Sequence, residues 1–161
     1  MLLWVAVVGI LGLEQGPRVN VPDSRAQREI TSAVIGAQGR LARPECQQVF
    51  TDFQDPEGRP LIERLDESRL TPADYLLQQV WFVDAGDTPP CRRDGTMAAF
   101  TVTGHHVIRV CADRFRQRFE RQRVAGEIIV IHEMLHTLGL GENPPASRDI
   151  TAQVTRRCGG S

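Results

Sequence analysis

The chain has 161 residues, which is enough for one domain with a hydrophobic core and too short for two. Hydrophobic residues make up 41% of the chain and charged residues 24%, as in ordinary soluble globular proteins. The formal net charge of -1 argues against a general nucleic-acid-binding function, which normally requires a basic excess.

The first thirteen residues, MLLWVAVVGILGL, are apolar throughout, and the polar stretch EQGPRVNVPDS follows them. This segment is too short to span a bilayer, but it has the length of the apolar region of a signal peptide. We therefore predict an export segment over residues 1–19, a single domain over residues 20–161, no stable membrane span, and a secreted or periplasmic location. The alternative is an apolar first strand or helix of the fold.

The first half of the domain predicts two helices, a surface segment and a strand. Asp23 or Ser24 could cap a helix that runs through about Leu41, with apolar residues at helical spacing. Residues 51–70 are charged and broken by prolines and a glycine, which indicates a surface excursion. The stretch TPADYLLQQV is typical of a helix start, with Thr71 as its cap. WFVDA then predicts a short buried strand.

The second half predicts a hairpin followed by three helices. In MAAFTVTGHHVIRVC, two runs of β-forming residues flank Gly104 and His105, which favours a two-residue type II′ turn. ADRFRQRFERQR predicts a solvated helix with two buried phenylalanines. AGEIIVIHEMLHTLGL predicts a buried helix, and a short final helix should begin at a Ser147 cap. The fold class is therefore α+β, with a small antiparallel or mixed sheet packed on helices.

The four cysteines lie far apart and form no C-x-x-C motif, which argues against a zinc finger or a thioredoxin-type redox pair. An even number of cysteines behind an export segment predicts two disulfides, for which three connectivities are possible. We favour Cys91 with Cys111 and Cys46 with Cys158. The alternative is four reduced, buried cysteines that act as small hydrophobic residues.

The stretch HEMLHTLGLGE, residues 132–142, contains the candidate metal-binding and catalytic residues. Residues four apart on a helix project from the same face, so His132 and His136 can meet one ion, and imidazole nitrogens suit Zn²⁺. Glu133 lies about 100° further round the helix and could reach a metal-bound water without being a ligand. The metal-free alternative is a hydrogen-bonded histidine pair with a salt-bridged glutamate.

This stretch resembles the active-site helix of the zincin metallopeptidases, over roughly residues 128–142. H-E-x-x-H-x-x-G begins the metzincin pattern, in which a third ligand follows three residues after the glycine. The resemblance implies a zincin-like fold, a catalytic Zn²⁺ held by His132, His136 and Glu142, and Glu133 as the base that activates a zinc-bound water. In this chain the glycine of the pattern is Gly139, which in a left-handed conformation could turn the chain back toward the metal. The third-ligand position is filled by Glu142 in place of the usual histidine or aspartate. No methionine follows Met134 to form a methionine turn, which favours a minimal zincin outside the named branches.

Three accessory features of such a site stay open at the level of sequence. Asp149 and Cys158 are the other downstream candidates for the third ligand. An edge strand ahead of the active-site helix would bind the substrate backbone, and HVIRVC is the candidate for it. An oxyanion stabiliser is also needed, and the candidates are Tyr75, His105, His106 and Arg148.

The function that follows is an exported zinc-dependent peptidase that hydrolyses peptide bonds in a peptide or protein substrate. The alternative is a non-catalytic zincin-fold protein in which zinc is structural, or which binds a partner. A third hypothesis is a nucleic-acid or membrane module that uses the arginines of residues 114–123, and the net charge argues against it.

Overall fold

The computed structural model describes residues 16–160, and most of the predicted export segment lies outside these residues. In chain order the elements are β1 (Arg18–Asn20), α1 (Ser24–Leu41), α2 (Pro44–Gln47), α3 (Val49–Asp52), α4 (Leu61–Ser68), α5 (Pro72–Gln78), β2 (Trp81–Asp84), α6 (Pro89–Arg93), β3 (Ala99–Thr101), β4 (Val107–Val110), α7 (Ala112–Arg121), α8 (Arg123–Thr137) and α9 (Ser147–Cys158). None of the helices between residues 16 and 160 is long and apolar enough to cross a membrane.

The predicted helices α1 and α5 are confirmed together with their caps. The Asp23 carboxylate accepts a hydrogen bond from the Ala26 amide at 2.6 Å and begins α1. The Thr71 hydroxyl accepts one from the Asp74 amide at 3.1 Å and begins α5. Each cap satisfies one of the backbone donors that a helix start leaves without an intrahelical partner.

The strands form one mixed sheet in the order β1-β2-β4-β3, so the predicted α+β class with a small sheet is confirmed. β1, β2 and β4 run parallel, and β3 is antiparallel to β4. The prediction that HVIRVC is the edge strand is wrong, because β4 pairs with β2 on one side and β3 on the other. The edge strand on that side is β3. The parallel pairing of β4 with β2 joins strands distant in sequence, which local composition does not reveal.

The predicted hairpin of β3 and β4 is confirmed, but its turn differs. The carbonyl of Val102 accepts a hydrogen bond from the amide of His105 at 2.9 Å, so the turn spans residues 102–105. Gly104 is its third residue and has φ +77°, which suits a type II turn rather than the predicted type II′. The Gly104 amide also donates to the His136 carbonyl at 2.8 Å, so the hairpin tip is bound to the end of α8.

The prediction that residues 51–70 are a surface excursion is confirmed only in part: most of these residues are exposed or half-buried, but three are buried. This stretch contains the end of α3 and the whole of α4, where Leu61 and Leu65 are fully buried one helical turn apart. The carboxylate of Asp55 is buried as well, and the guanidinium groups of Arg59 and Arg64 neutralise it at 2.8 and 3.3 Å. The high charge of the segment therefore reflects one solvated helix face and one internal ion-pair cluster.

The predicted buried helix α8 is confirmed and lies at the centre of the molecule. It packs against α1, α7, α9 and the strands β3 and β4. A Cβ atom at Gly126 would lie 2.6 Å from Cδ2 of Phe119, so this glycine permits the close approach of α7 and α8. As predicted, Phe115 and Phe119 are buried in α7, together with Ala112, while its arginines are exposed or half-buried.

The C-terminal helix α9 closes the core, with Ile150 and Val154 fully buried. Its N-cap is Ala146 rather than the predicted Ser147. The favoured disulfide pairing is confirmed: Cys46–Cys158 joins α2 to α9, and Cys91–Cys111 joins α6 to the end of β4. Both bonds are compatible with an oxidising, extracytoplasmic compartment.

Candidate metal site

The end of α8 turns the chain back over the helix. The amide of Gly139 donates to the His136 carbonyl, and the amide of Leu140 donates to the Leu135 carbonyl, both at 3.1 Å. These two bonds form a Schellman motif, and Gly139 has the positive φ, +106°, that the motif requires. The predicted glycine turn is therefore confirmed. It brings Glu142, three residues further on, back beside the last turn of α8.

Three side chains converge at this turn. Nε2 of His132 and Nε2 of His136 are 3.1 Å apart, and Oε1 of Glu142 lies 3.6 and 3.4 Å from them. Both histidines are buried, whereas the side chain of Glu142 is 41% exposed. Because the candidate donor atoms all lie within 4.8 Å of one another, these residues could hold a metal ion. The structure thus brings together the three residues that the sequence predicts as ligands.

The second ring nitrogen of each histidine has its own partner. Nδ1 of His136 is 2.7 Å from the carbonyl oxygen of Leu140, which the Schellman turn places there. A carbonyl can only accept, so His136 donates through Nδ1, and Nε2 is the ring nitrogen left to bind a cation. Nδ1 of His132 is 2.9 Å from the hydroxyl of Thr151 on α9. Both rings therefore direct Nε2 toward Glu142.

Glu133 faces the same region without joining the three converging donor atoms. Its carboxylate accepts a hydrogen bond from the hydroxyl of Thr101, on β3, at 2.8 Å. Burial raises the pKa of Glu133 to about 7, against the lowering effects of the Thr101 hydrogen bond and of His136. Burial, and then the electrostatic effect of the neighbouring His136 ring, lowers the pKa of His132 to about 4, so the His132 ring is neutral at pH 7.

These groups line an open cleft of about 620 Å³. One wall is formed by residues 96–101, which end in β3, and the other by the start of α9, with Ser147, Arg148 and Thr151. The histidines and Glu133 form the floor, where α8 presents its C-terminal half. The cleft therefore combines an exposed entrance with buried titratable groups, as expected of a binding or catalytic site.

The other residues considered from sequence take different places. Asp149 lies outside the converging group with its side chain 64% exposed, and Cys158 is in a disulfide, so neither replaces Glu142. Among the oxyanion candidates, Arg148 lines the cleft. Tyr75 and His106 instead line a second pocket beyond the end of α8, where the Tyr75 hydroxyl contacts Thr137 at 3.2 Å.

Two residues of the site were not predicted: Thr101 and Thr151. Each hydroxyl contacts a titratable side chain of α8 from a different wall. A threonine in a short strand or in a helix carries no signal of such a contact, because the partner is distant in sequence and depends on the tertiary fold.

No protein-family model, curated protein or solved structure matches this chain. The chemistry must therefore be read from the site itself. Two imidazoles and one carboxylate offer three ligands to a cation, and a separate buried carboxylate could exchange a proton with a molecule bound in the cleft.

Proposed function

We propose that this protein is an extracytoplasmic zinc-dependent peptidase in which His132, His136 and Glu142 bind the metal and Glu133 is the general base. One observation carries the proposal: the three donor atoms converge at the floor of an open cleft, beside a buried carboxylate that is not one of them. The resemblance of HEMLHTLGLGE to zincin active-site helices supports peptide-bond hydrolysis as the reaction of this site.

The donor set fits zinc. In a tetrahedral site with bonds of about 2.0–2.2 Å, two ligand atoms lie about 3.3–3.6 Å apart. The separations here are 3.1, 3.4 and 3.6 Å, so little movement of the side chains is required. Nitrogen ligands favour zinc over calcium or magnesium, and three protein ligands leave the fourth position for water or substrate.

A bound zinc ion supplies Lewis acidity, which polarises a carbonyl and acidifies a water. Glu133 accepts the proton of the attacking water and returns it to the leaving amine. Its burial supports this role, because a carboxyl whose pKa is about 7 can both take and release a proton near neutral pH. The Thr101 hydrogen bond holds the carboxylate toward the cleft.

The cleft also supports a peptide as the substrate. The edge strand β3 forms part of one wall, and its outer edge could pair with an extended peptide backbone. Arg148, on the opposite wall, is 88% exposed and is the candidate that could stabilise an oxyanion from within the cleft.

The first test is the zinc content of the purified chain by elemental analysis, beside two variants. We expect about one zinc per chain, a clear loss in Glu142→Ala, and full retention in Asp149→Ala, the matched carboxylate that lies outside the donor group. Absence of zinc in the parent after metal is supplied would overturn the proposal. Loss in Asp149→Ala alone would move the third ligand to that residue.

The second test separates a catalytic from a structural zinc. Glu133→Gln removes the base but no proposed ligand, so zinc content should stay unchanged. Hydrolysis of a random peptide library, followed by mass spectrometry, should fall by a factor of about 10²–10⁴. Parent protein that binds zinc and cleaves nothing, or a variant as active as the parent, would favour the non-catalytic alternative.

A further inference from the structure

We infer that Thr151 is the positioning residue of the metal site, and that α9 holds its hydroxyl where it can direct the ring of His132. The inference rests on the proposed zinc site and names a residue that controls it. The contact is direct, since Oγ1 of Thr151 lies 2.9 Å from Nδ1 of His132. Hydrogen-bond partners of ligand histidines fix the tautomer and orientation of the ring, and Thr151 is such a partner.

The two histidines are held in chemically different ways. His136 faces the carbonyl of Leu140, which only accepts, so its Nδ1 carries the proton whether or not a cation is bound. His132 faces a hydroxyl, which can donate or accept. The tautomer of His136 is therefore fixed by the backbone, while that of His132 can change.

The two Nε2 atoms are 3.1 Å apart, which is hydrogen-bond distance, so one of them can carry a proton when no metal is bound. In zinc-free protein, Nε2–H of His132 can donate to the bare Nε2 of His136, and the hydroxyl of Thr151 then donates to Nδ1 of His132. When both Nε2 atoms bind one cation, the proton of His132 lies on Nδ1, and the hydroxyl oxygen of Thr151 accepts a hydrogen bond from this Nδ1–H. A hydroxyl satisfies both arrangements, whereas a carbonyl satisfies only the second.

The helix α9 fixes the hydroxyl in place through contacts on both sides of it. Ile150, the preceding residue, and Val154 are fully buried in the core. Further along the helix, the guanidinium of Arg157 forms two bonds to the carboxylate of Asp52, at 2.7 and 2.8 Å, and Cys158 is in the disulfide with Cys46. Thr151 is thus presented by a rigid element rather than by a loop.

The inference is tested by the zinc dissociation constant of the full chain, measured by competition with a chromophoric chelator. Thr151→Val keeps the shape of the side chain and removes the hydroxyl, so affinity should fall about 10-fold or more. Thr151→Ser should restore it. Thr155→Val is the matched control, one turn later on α9, because the Thr155 hydroxyl bonds to the backbone of its own helix at 2.8 Å. Its affinity should equal that of the parent.

A second measurement reads the tautomers directly from long-range ¹H–¹⁵N spectra of the histidine rings, with and without one equivalent of zinc. We expect the proton of His132 to move from Nε2 to Nδ1 on zinc binding, and that of His136 to stay on Nδ1. Zinc binding by Thr151→Val within twofold of the parent, or an unchanged tautomer at His132, would overturn the inference and leave the proposed function standing. Failure of the parent to bind zinc would overturn both.

Discussion

The two walls of the cleft contribute the same chemical group to different partners. The β3 wall presents the hydroxyl of Thr101 to Glu133 at 2.8 Å, and the α9 wall presents that of Thr151 to His132 at 2.9 Å. One hydroxyl therefore contacts the proposed base and the other a proposed ligand. We expect the β3 wall to govern the rate of hydrolysis and the α9 wall to govern the affinity for metal.

The walls also differ in how the chain builds them. β3 pairs with β4, the next strand along the chain, and the disulfide Cys91–Cys111 beside it spans 20 residues. The α9 wall comes from the C-terminal end of the described chain. Besides α8, the preceding helix, α9 packs against α2 and α3, which are far from it in sequence, and its disulfide Cys46–Cys158 spans 112 residues. Both walls pack on α8, but only the α9 wall also depends on helices from the first third of the chain.

Among the changes that test the difference between the two walls, removal of the disulfide Cys46–Cys158 should have the largest effect on the free energy of unfolding. In the chain-entropy model, a bond that closes a loop of about 112 residues stabilises by about 4.8 kcal/mol, and one that closes about 20 residues by about 3.3 kcal/mol. The pair Cys46→Ala with Cys158→Ala should therefore lower the free energy of unfolding more than the pair Cys91→Ala with Cys111→Ala. Urea unfolding followed by circular dichroism measures both.

Zinc affinity of the same two double variants tests the assignment of roles. Loss of Cys46–Cys158 frees the end of α9, so zinc should bind more weakly even under conditions in which the variant is folded. Loss of Cys91–Cys111 should leave zinc affinity near that of the parent. An equal loss of zinc affinity in both double variants would show that the α9 wall does not govern metal binding more than the β3 wall.

The next effect concerns the β3 wall. Thr101→Val removes a hydrogen bond to a buried carboxylate, an interaction worth about 1.5–3 kcal/mol, so kcat/KM should fall about 10-fold or more. Because that hydrogen bond lowers the pKa of Glu133, its loss raises this pKa further. A base must be ionised to act, so the rising limb of the pH–rate profile should move to higher pH.

Two controls separate this effect from a general disturbance of the site. Thr101→Ser keeps a hydroxyl and should retain most of the activity and the position of the rising limb. Zinc content of Thr101→Val should match that of the parent, because Thr101 contacts no proposed ligand. A loss of zinc in this variant would assign a metal-binding role to the β3 wall and contradict the comparison.

The features that the structure confirms are those whose signal lies within one helix or one turn. The convergence of His132 and His136 follows from helical spacing, and the turn at Gly139 from the conformational freedom of glycine. The place of Glu142 beside them is expected from the zincin resemblance, in which a residue three positions after the glycine returns to the site. The capped helices α1 and α5 and the buried helix α8 have the same origin. In each case the residues that interact are within a few positions of each other.

The features that sequence analysis missed depend on residues that are distant from each other in sequence. The assignment of HVIRVC to the edge failed because β4 also pairs with β2, a strand from before α6. The prediction for residues 51–70 missed the burial of Asp55, Leu61 and Leu65, because the charged residues around them are typical of a surface segment. Thr101 and Thr151 reach α8 from elements 32 and 19 residues away from their partners. Tertiary contacts decide all of these features.

The smallest expected change in the free energy of unfolding comes from breaking the ion pair between Asp52 and Arg157, which helps to hold α9 in place. The hydrogen bonds from Arg157, opposed in part by burial, keep the pKa of Asp52 below its ordinary value. Asp52→Asn should lower the free energy of unfolding by up to about 1 kcal/mol at pH 7, since the pair is only partly exposed. Urea unfolding midpoints of parent and variant, measured from pH 7 down to pH 2, provide the comparison.

The direction of the pH dependence follows from the lowered pKa. An acid with a lower pKa in the folded than in the unfolded state stabilises the fold above its unfolded pKa, about 3.9 for aspartate. That contribution is lost as the pH falls through the folded pKa, so the parent and Asp52→Asn should converge in acid. Asp87→Asn is the control beside the β3 wall, because the pair of Asp87 with Arg92 is exposed and should contribute nothing measurable. A constant difference across this range would mean that the charge of Asp52 does not hold α9.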